Sequence, residues 1–138
     1  MSDFPNLFSP LSINGLTLPN RIMMAPMGTN LATSKGRVTT RLIDHYVARA
    51  RGGAGLIITE GTSVHPSGHG YPYQLIAYDD AAIQGLSRLS DAVHRAGSAT
   101  GRRTQLFPPL HHGGRNTHMR VSGRLPLAPS PFRSPVGQ

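Results

Sequence analysis

The stretch Ala54-Gly55-Leu56-Ile57-Ile58-Thr59-Glu60-Gly61 decides the fold of this 138-residue chain. Its apolar residues run on without alternation, the pattern of a strand covered on both faces, as strands in parallel sheets are. On its amino-terminal side, Thr39 or Thr40 can cap a helix whose apolar positions Leu42, Ile43, Tyr46, Val47 and Ala50 fall on one face. Arg41, His45 and Arg49 take the other face, and Gly52-Gly53 stops the helix. On the carboxyl-terminal side, a loop rich in Gly, His and Tyr runs to Tyr78, and Asp79-Asp80 opens a second helix. Its expected buried face carries Ile83, Leu86, Leu89, Val93 and Ala96, and Gly97 is expected to end it. Asp80 near its start and Arg95 near its end suit the helix dipole.

Further upstream, Arg21-Ile22-Met23-Met24-Ala25 is a short apolar run stopped at Pro26, which reads as an earlier buried strand. Before it, the segment from Leu7 to Leu18 alternates around Asn14-Gly15, a dipeptide suited to a two-residue hairpin turn. The order hairpin, β, α, β, α predicts an α/β fold of parallel βαβ units with right-handed crossovers. A third parallel strand is due after Gly97. The residues there, with Gly101, Arg102-Arg103 and Pro108-Pro109, interrupt any apolar run, so a damaged third strand is expected. Beyond it no helical or strand period is evident. The chain therefore divides into residues 1–98 and a Pro-, Gly- and Arg-rich segment, residues 99–138.

Composition narrows the class. Sixteen Gly and twelve Pro are too many for a helical bundle and too few for a collagen-like repeat. With no cysteine, the chain cannot build disulfides, thiolate zinc sites or iron–sulfur ligation. No run approaches about 18 apolar residues, so no membrane span is expected. The first twenty residues show no basic start followed by an apolar stretch, so the expected place is the cytoplasm. The net charge of +8 is uneven: residues 1–98 carry +2, residues 99–138 carry six arginines and no acid. Such a tail engages polyanions through charge alone. Only Phe107 and Phe132 interleave it, so a loosely ordered basic tail is expected rather than a nucleic-acid interface.

Three segments carry a resemblance: Met24-Ala25-Pro26-Met27-Gly28, Ile58-Thr59-Glu60-Gly61-Thr62, and His111-His112-Gly113-Gly114-Arg115. Supporting pieces are Leu7-Phe8-Ser9-Pro10-Leu11, Gly15-Leu16-Thr17-Leu18-Pro19-Asn20-Arg21, Tyr46 with Ala48-Arg49-Ala50, and Ala128-Pro129-Ser130. In this order they resemble the amino-terminal part of the old yellow enzyme family, in its NADH:flavin oxidoreductase and dienoyl-CoA-reductase-like members. The resemblance implies a (β/α)8 TIM barrel, here represented by its amino-terminal hairpin and first two to three βα units. It also implies FMN at the strands' carboxyl-terminal ends, where such barrels place their sites. NAD(P)H would reduce the flavin, which would deliver hydride to an activated alkene, an enone or enoyl compound.

Carried over position by position, Ala25, Pro26, Met27 and Gly28 match the segment packed against the flavin ring, and Gly61 matches a small residue beside it. Gly61 reads equally as a turn glycine ending a strand. Relatives often carry Cys or Thr at the position of Gly28. The family's flavin-contacting glutamine falls on Pro109, which has no amide, and Gln105 would replace it only through a four-residue slip. His111 and His112 are adjacent on an extended segment and point oppositely, so a shared metal is not expected. Arg115 reads as a solvated loop charge, with a contact to the cofactor region or to a carboxylate such as Glu60 as the alternative. By the resemblance, the substrate-anchoring and phosphate-binding groups come from later strands, and a whole barrel takes about 250 residues. Weak or absent FMN binding and little activity are therefore expected of these residues alone, and a complementing chain is an open possibility. The rival readings are a non-enzymatic polyanion-binding module and a decayed or frame-disrupted gene product.

Overall fold

The computed structural model describes residues 3–127 and Pro129; Ala128, Ser130 and Phe132 lie outside the described residues. The chain opens with an antiparallel hairpin, β1 (Leu11–Ile13) against β2 (Leu16–Leu18). Asn14 at φ 45° and Gly15 at φ 80° turn it, the pair of left-handed residues that a two-residue hairpin requires. There follow β3 (Met23–Met24), α1 (Thr40–Arg51), β4 (Leu56–Ile58), β5 (Thr62–Ser63), α2 (Ile83–Ala99), β6 (Gln105–Phe107), β7 (Leu110–His111) and a single turn, α3 (Met119–Ser122).

β3, β4 and β6 form one parallel sheet in that order, so α1 and α2 are the crossovers between successive strands. One rung, Met24, Ile57 and Leu106, packs into the core with Leu42, Tyr46 and Ala50 of α1 and Leu89, Val93 and Ala96 of α2. Leu42, Tyr46, Ile57 and Val93 are fully buried; burial of each of the three aliphatic side chains contributes about 1.5–3 kcal/mol. The alternate residues point to the opposite face. There Met23 is 55% and Phe107 46% exposed, so helices cover one side of the sheet only. β5 and β7 form a second, two-residue parallel pair beyond the ends of β4 and β6.

The helix ends follow the local chemistry. Thr39 caps α1 by accepting the Leu42 N–H at 3.1 Å, and Gly53 at φ 89° reverses the chain after it. Asp79 accepts the Ala81 N–H at 2.9 Å and pairs with Arg37, which together hold its carboxyl below the usual range. It caps a short 3-10 turn, Asp80–Ala82, that leads into α2.

Three expectations need correction. Gly97 does not end α2: the helix continues to Ala99, and the chain reverses at Gly101, whose φ is 70°. Gly97 is instead a contact point, since a Cβ there would lie 2.5 Å from Thr104 Oγ1 and 2.7 Å from Thr104 N. Ile83 is 62% exposed; at 100° per residue it stands about 110° around the helix from the stripe of Leu89, Val93 and Ala96. The third strand is present, because the interrupting residues flank it. Gly101 to Arg103 precede Gln105-Leu106-Phe107, Pro108-Pro109 follow, and the three residues between pair with Leu56, Ile57 and Ile58. Among the described residues no helix is long and apolar enough to cross a membrane.

Candidate functional site

Beyond their carboxyl-terminal ends, the three strands of the sheet lead into segments that converge. Pro26, Met27 and Gly28 follow β3, Gly61 follows β4, and Pro109, Leu110 and His111 follow β6. With Tyr71 they line a cavity of about 310 Å³. A neighbouring cavity of about 550 Å³ is lined by Gly28, Asn30, Tyr71, Pro72 and Tyr73, so Tyr71 and Gly28 belong to both. These volumes suit a small organic ligand. Neither cavity has a Lys or Arg among these lining residues.

A buried carboxylate ties the walls together. Glu60 is 0% exposed and accepts three hydrogen bonds: Oε2 from the Thr29 N–H at 2.8 Å and from the Thr29 hydroxyl, Oε1 from the Leu75 N–H at 3.2 Å. Its own N–H donates to the Tyr46 hydroxyl at 2.8 Å. Burial pushes the Tyr46 phenol up to about 12. One residue thus joins the loop after β3, helix α1, the turn after β4 and the loop holding Tyr71.

Gln74, also 0% exposed, does the same on the other side. Its Oε1 accepts the Gly70 N–H at 2.8 Å, and its Nε2 donates to Gly61 O at 2.8 Å and lies 3.0 Å from His111 Nδ1. Two residues other than glycine with positive φ stand on the cavity rim, Asn30 at 55° in the loop after β3 and Tyr73 at 56° just before Gln74. Such conformations cost about 1–3 kcal/mol each and persist where neighbours hold them. Burial, with the Glu60 charge adding to it, pushes the Tyr71 phenol up to about 12.

Of the five residues singled out in the sequence, Pro26, Met27, Gly28 and Gly61 meet at the first cavity, while Ala25 is exposed and not among its lining residues. Pro109 is in the wall, its carbonyl accepting the Thr62 N–H at 2.9 Å. Gln105 stays at the start of β6, paired with Leu56 in unslipped register. His111 and His112 turn to different partners: His111 to Gln74, His112 to Ser67 Oγ at 3.1 Å and to the Gly114 N–H at 3.0 Å. Among the described residues no three His, Cys, Asp or Glu side chains gather as a metal site. Arg115 is exposed, and Glu60 is occupied by Thr29 and Leu75, so the arginine–Glu60 pairing is not formed. Tyr71 and Gln74 escaped the sequence reading because their loop has no period; its only signal was the density of Gly, Pro and aromatic residues from Gly68 to Tyr73.

Successive parallel βα units with a ligand-sized cavity at the strands' carboxyl-terminal ends fit part of an α/β barrel. The chain belongs to the NADH:flavin oxidoreductase / NADH oxidase family, whose sequence profile matches residues 6–134. It is 47% identical over 133 residues to an NADH oxidase of Thermoanaerobacter brockii, covering 95% of this chain and 20% of that protein. It is 42% identical over 125 residues to an NADPH dehydrogenase of Geobacillus thermodenitrificans, covering 90% of this chain and 34% of that one. The fold superposes on an old yellow enzyme homologue from Zymomonas mobilis with a TM-score of 0.84 at 36% identity, covering 95% of this chain and 35% of the other. Morphinone reductase in complex with tetrahydroNAD gives a TM-score of 0.83 at 33% identity, covering 96% and 35%. The chain therefore spans about a fifth to a third of the length of these relatives.

Proposed function

We propose that these residues form one wall of the flavin pocket in an FMN-dependent NAD(P)H:flavin oxidoreductase of the ene-reductase type, corresponding to its amino-terminal hairpin and first two to three βα units. The observation that carries this reading is the single cavity shared by Pro26, Met27, Gly28, Gly61, Pro109 and Tyr71. Its chemistry suits the ring of the cofactor: Met27, Pro26 and Pro109 offer apolar surface, and Gly28 and Gly61 let a flat group approach the backbone. Bound flavin would supply the hydride relay from NAD(P)H to an activated alkene. This chain's residues would hold the ring, keep its face dry and fix its edge. Among the described residues the phosphate has no cationic partner in the lining of these two cavities, so weak FMN binding and little turnover are proposed for the 138 residues alone.

Riboflavin, which has the ring without the phosphate, is the probe that tests this. Its fluorescence is expected to be quenched saturably as the chain is titrated in. Pro109→Gln, which supplies a side-chain amide in the cavity wall, is expected to tighten that binding by about three- to tenfold, one neutral hydrogen bond. Linear, non-saturating quenching by both proteins would refute the reading.

A further inference from the structure

The Gln74 amide has only one orientation that satisfies its neighbours. The Gly61 carbonyl can only accept and the Gly70 N–H can only donate, so Nε2 faces the first and Oε1 the second. The same Nε2 lies 3.0 Å from His111 Nδ1. An amide NH2 has no lone pair to offer, so Nδ1 must be the acceptor, and the proton of the neutral imidazole sits on Nε2. The rest of the ring is also confined. A Cβ on Gly61 would lie 3.2 Å from its Cγ and 3.5 Å from its Cδ2, and a Cβ on Gly70 would lie 3.5 Å from its Cε1. Nε2 is the ring atom left over, the ring's hydrogen bond among the described residues being the one at Nδ1.

We infer that His111, locked by Gln74 as the Nε2–H tautomer, is a fixed hydrogen-bond donor to an acceptor atom, a carbonyl oxygen or unprotonated ring nitrogen, on the planar ring that occupies the cavity. This rests on the flavin reading above. His111 stands two residues after Pro109, and on an extended segment positions two apart share a face. The donor that a proline cannot supply is thus offered one step along the same wall. Gln74 is a positioning residue: it touches no ligand and acts through the histidine. Gly61 has a second role here, since a side chain at that position would push the imidazole away.

The tautomer is read directly from the nitrogen-15 shifts of His111 in the ligand-free chain at neutral pH. The expected signals are an unprotonated Nδ1 and a protonated Nε2. Gln74→Glu places an acceptor opposite Nδ1 and is expected to move the proton there, with riboflavin binding weakened about three- to tenfold. His111→Leu, at a half-buried position, is expected to give the same loss and carries the test if Gln74→Glu fails to fold. An Nδ1–H tautomer in the unaltered chain overturns the inference, as does riboflavin affinity unchanged in both variants while the unaltered chain binds. A chain that binds no riboflavin overturns the flavin reading and this inference with it.

Discussion

Glu60→Ala is expected to destabilise the chain by about 4 kcal/mol, the largest effect of any single polar substitution in the site. Two backbone donors, Thr29 N–H and Leu75 N–H, lose their acceptor inside the protein, at about 1–3 kcal/mol each. Removing the side chain also leaves a void beside fully buried Leu75. A domain of this size holds roughly 5–15 kcal/mol in total, and this sheet has one face bare, so the loss takes a large share of its stability. Glu60→Gln discriminates between shape and chemistry. Both carboxylate oxygens are in use, so a glutamine must turn its NH2 toward a donor and lose at least one hydrogen bond, costing about 2 kcal/mol. Urea unfolding followed by circular dichroism measures both. A glutamine variant as stable as the parent would mean that the three donors do not depend on the carboxylate.

The second large effect is expected at Gly97, with a sign opposite to what helix propensity alone gives. Inside a helix, Gly→Ala ordinarily stabilises by about 1 kcal/mol. Here the new methyl would press on Thr104 Oγ1, Thr104 N and Arg102 O, all within 2.8 Å. Two of these are backbone atoms with nowhere to go. Thr104 is buried and donates to Ala54 O at 2.8 Å, so moving it loosens the entry to β6. Overpacking of this kind costs about 1–3 kcal/mol, and Gly97→Ala is expected to lower the melting temperature clearly, with Gly97→Val lower again. A melting temperature that rises would show that α2 and the approach to β6 do not touch there.

Gly97 also shows where sequence reasoning reaches its limit. A glycine near the end of an apolar period reads as a stop, and nothing in the linear order reveals that another strand's approach needs its missing Cβ. The strongest signals were those with length. The 12 residues of α1 carry a full amphipathic period and a threonine cap, and the hairpin carries Asn-Gly. Continuous apolar runs gave β4. β6 was hidden because three residues between an arginine pair and a proline pair hold too short a pattern, yet pairing with β4 was enough to order them. β5 and β7, two residues each, have no period to read.

The site divides along the same line. Pro26, Met27, Gly28 and Gly61 were found because they stand where strands end, which is where a barrel puts its chemistry. Glu60 and Gln74 tie the walls together through contacts that include separations of 13 to 37 residues, such as Gln74 with Gly61 and with His111. No local pattern marks such partners. The open sheet face, with Met23 and Phe107 exposed, belongs to the same account: it is the surface that further strands of a closed barrel would cover.

On the function proposed above, these residues hold the ring of a flavin and not its phosphate. The most direct test is the ratio of dissociation constants for FMN and riboflavin measured on the same preparation of the chain. Because no Lys or Arg among the described residues lines the cavity, the two are expected to bind weakly and within about twofold of each other, since a gripped phosphate would add charge-assisted hydrogen bonds worth at least tenfold. FMN bound ten times more tightly than riboflavin, or carried through purification as a stoichiometric yellow complex, would contradict the account.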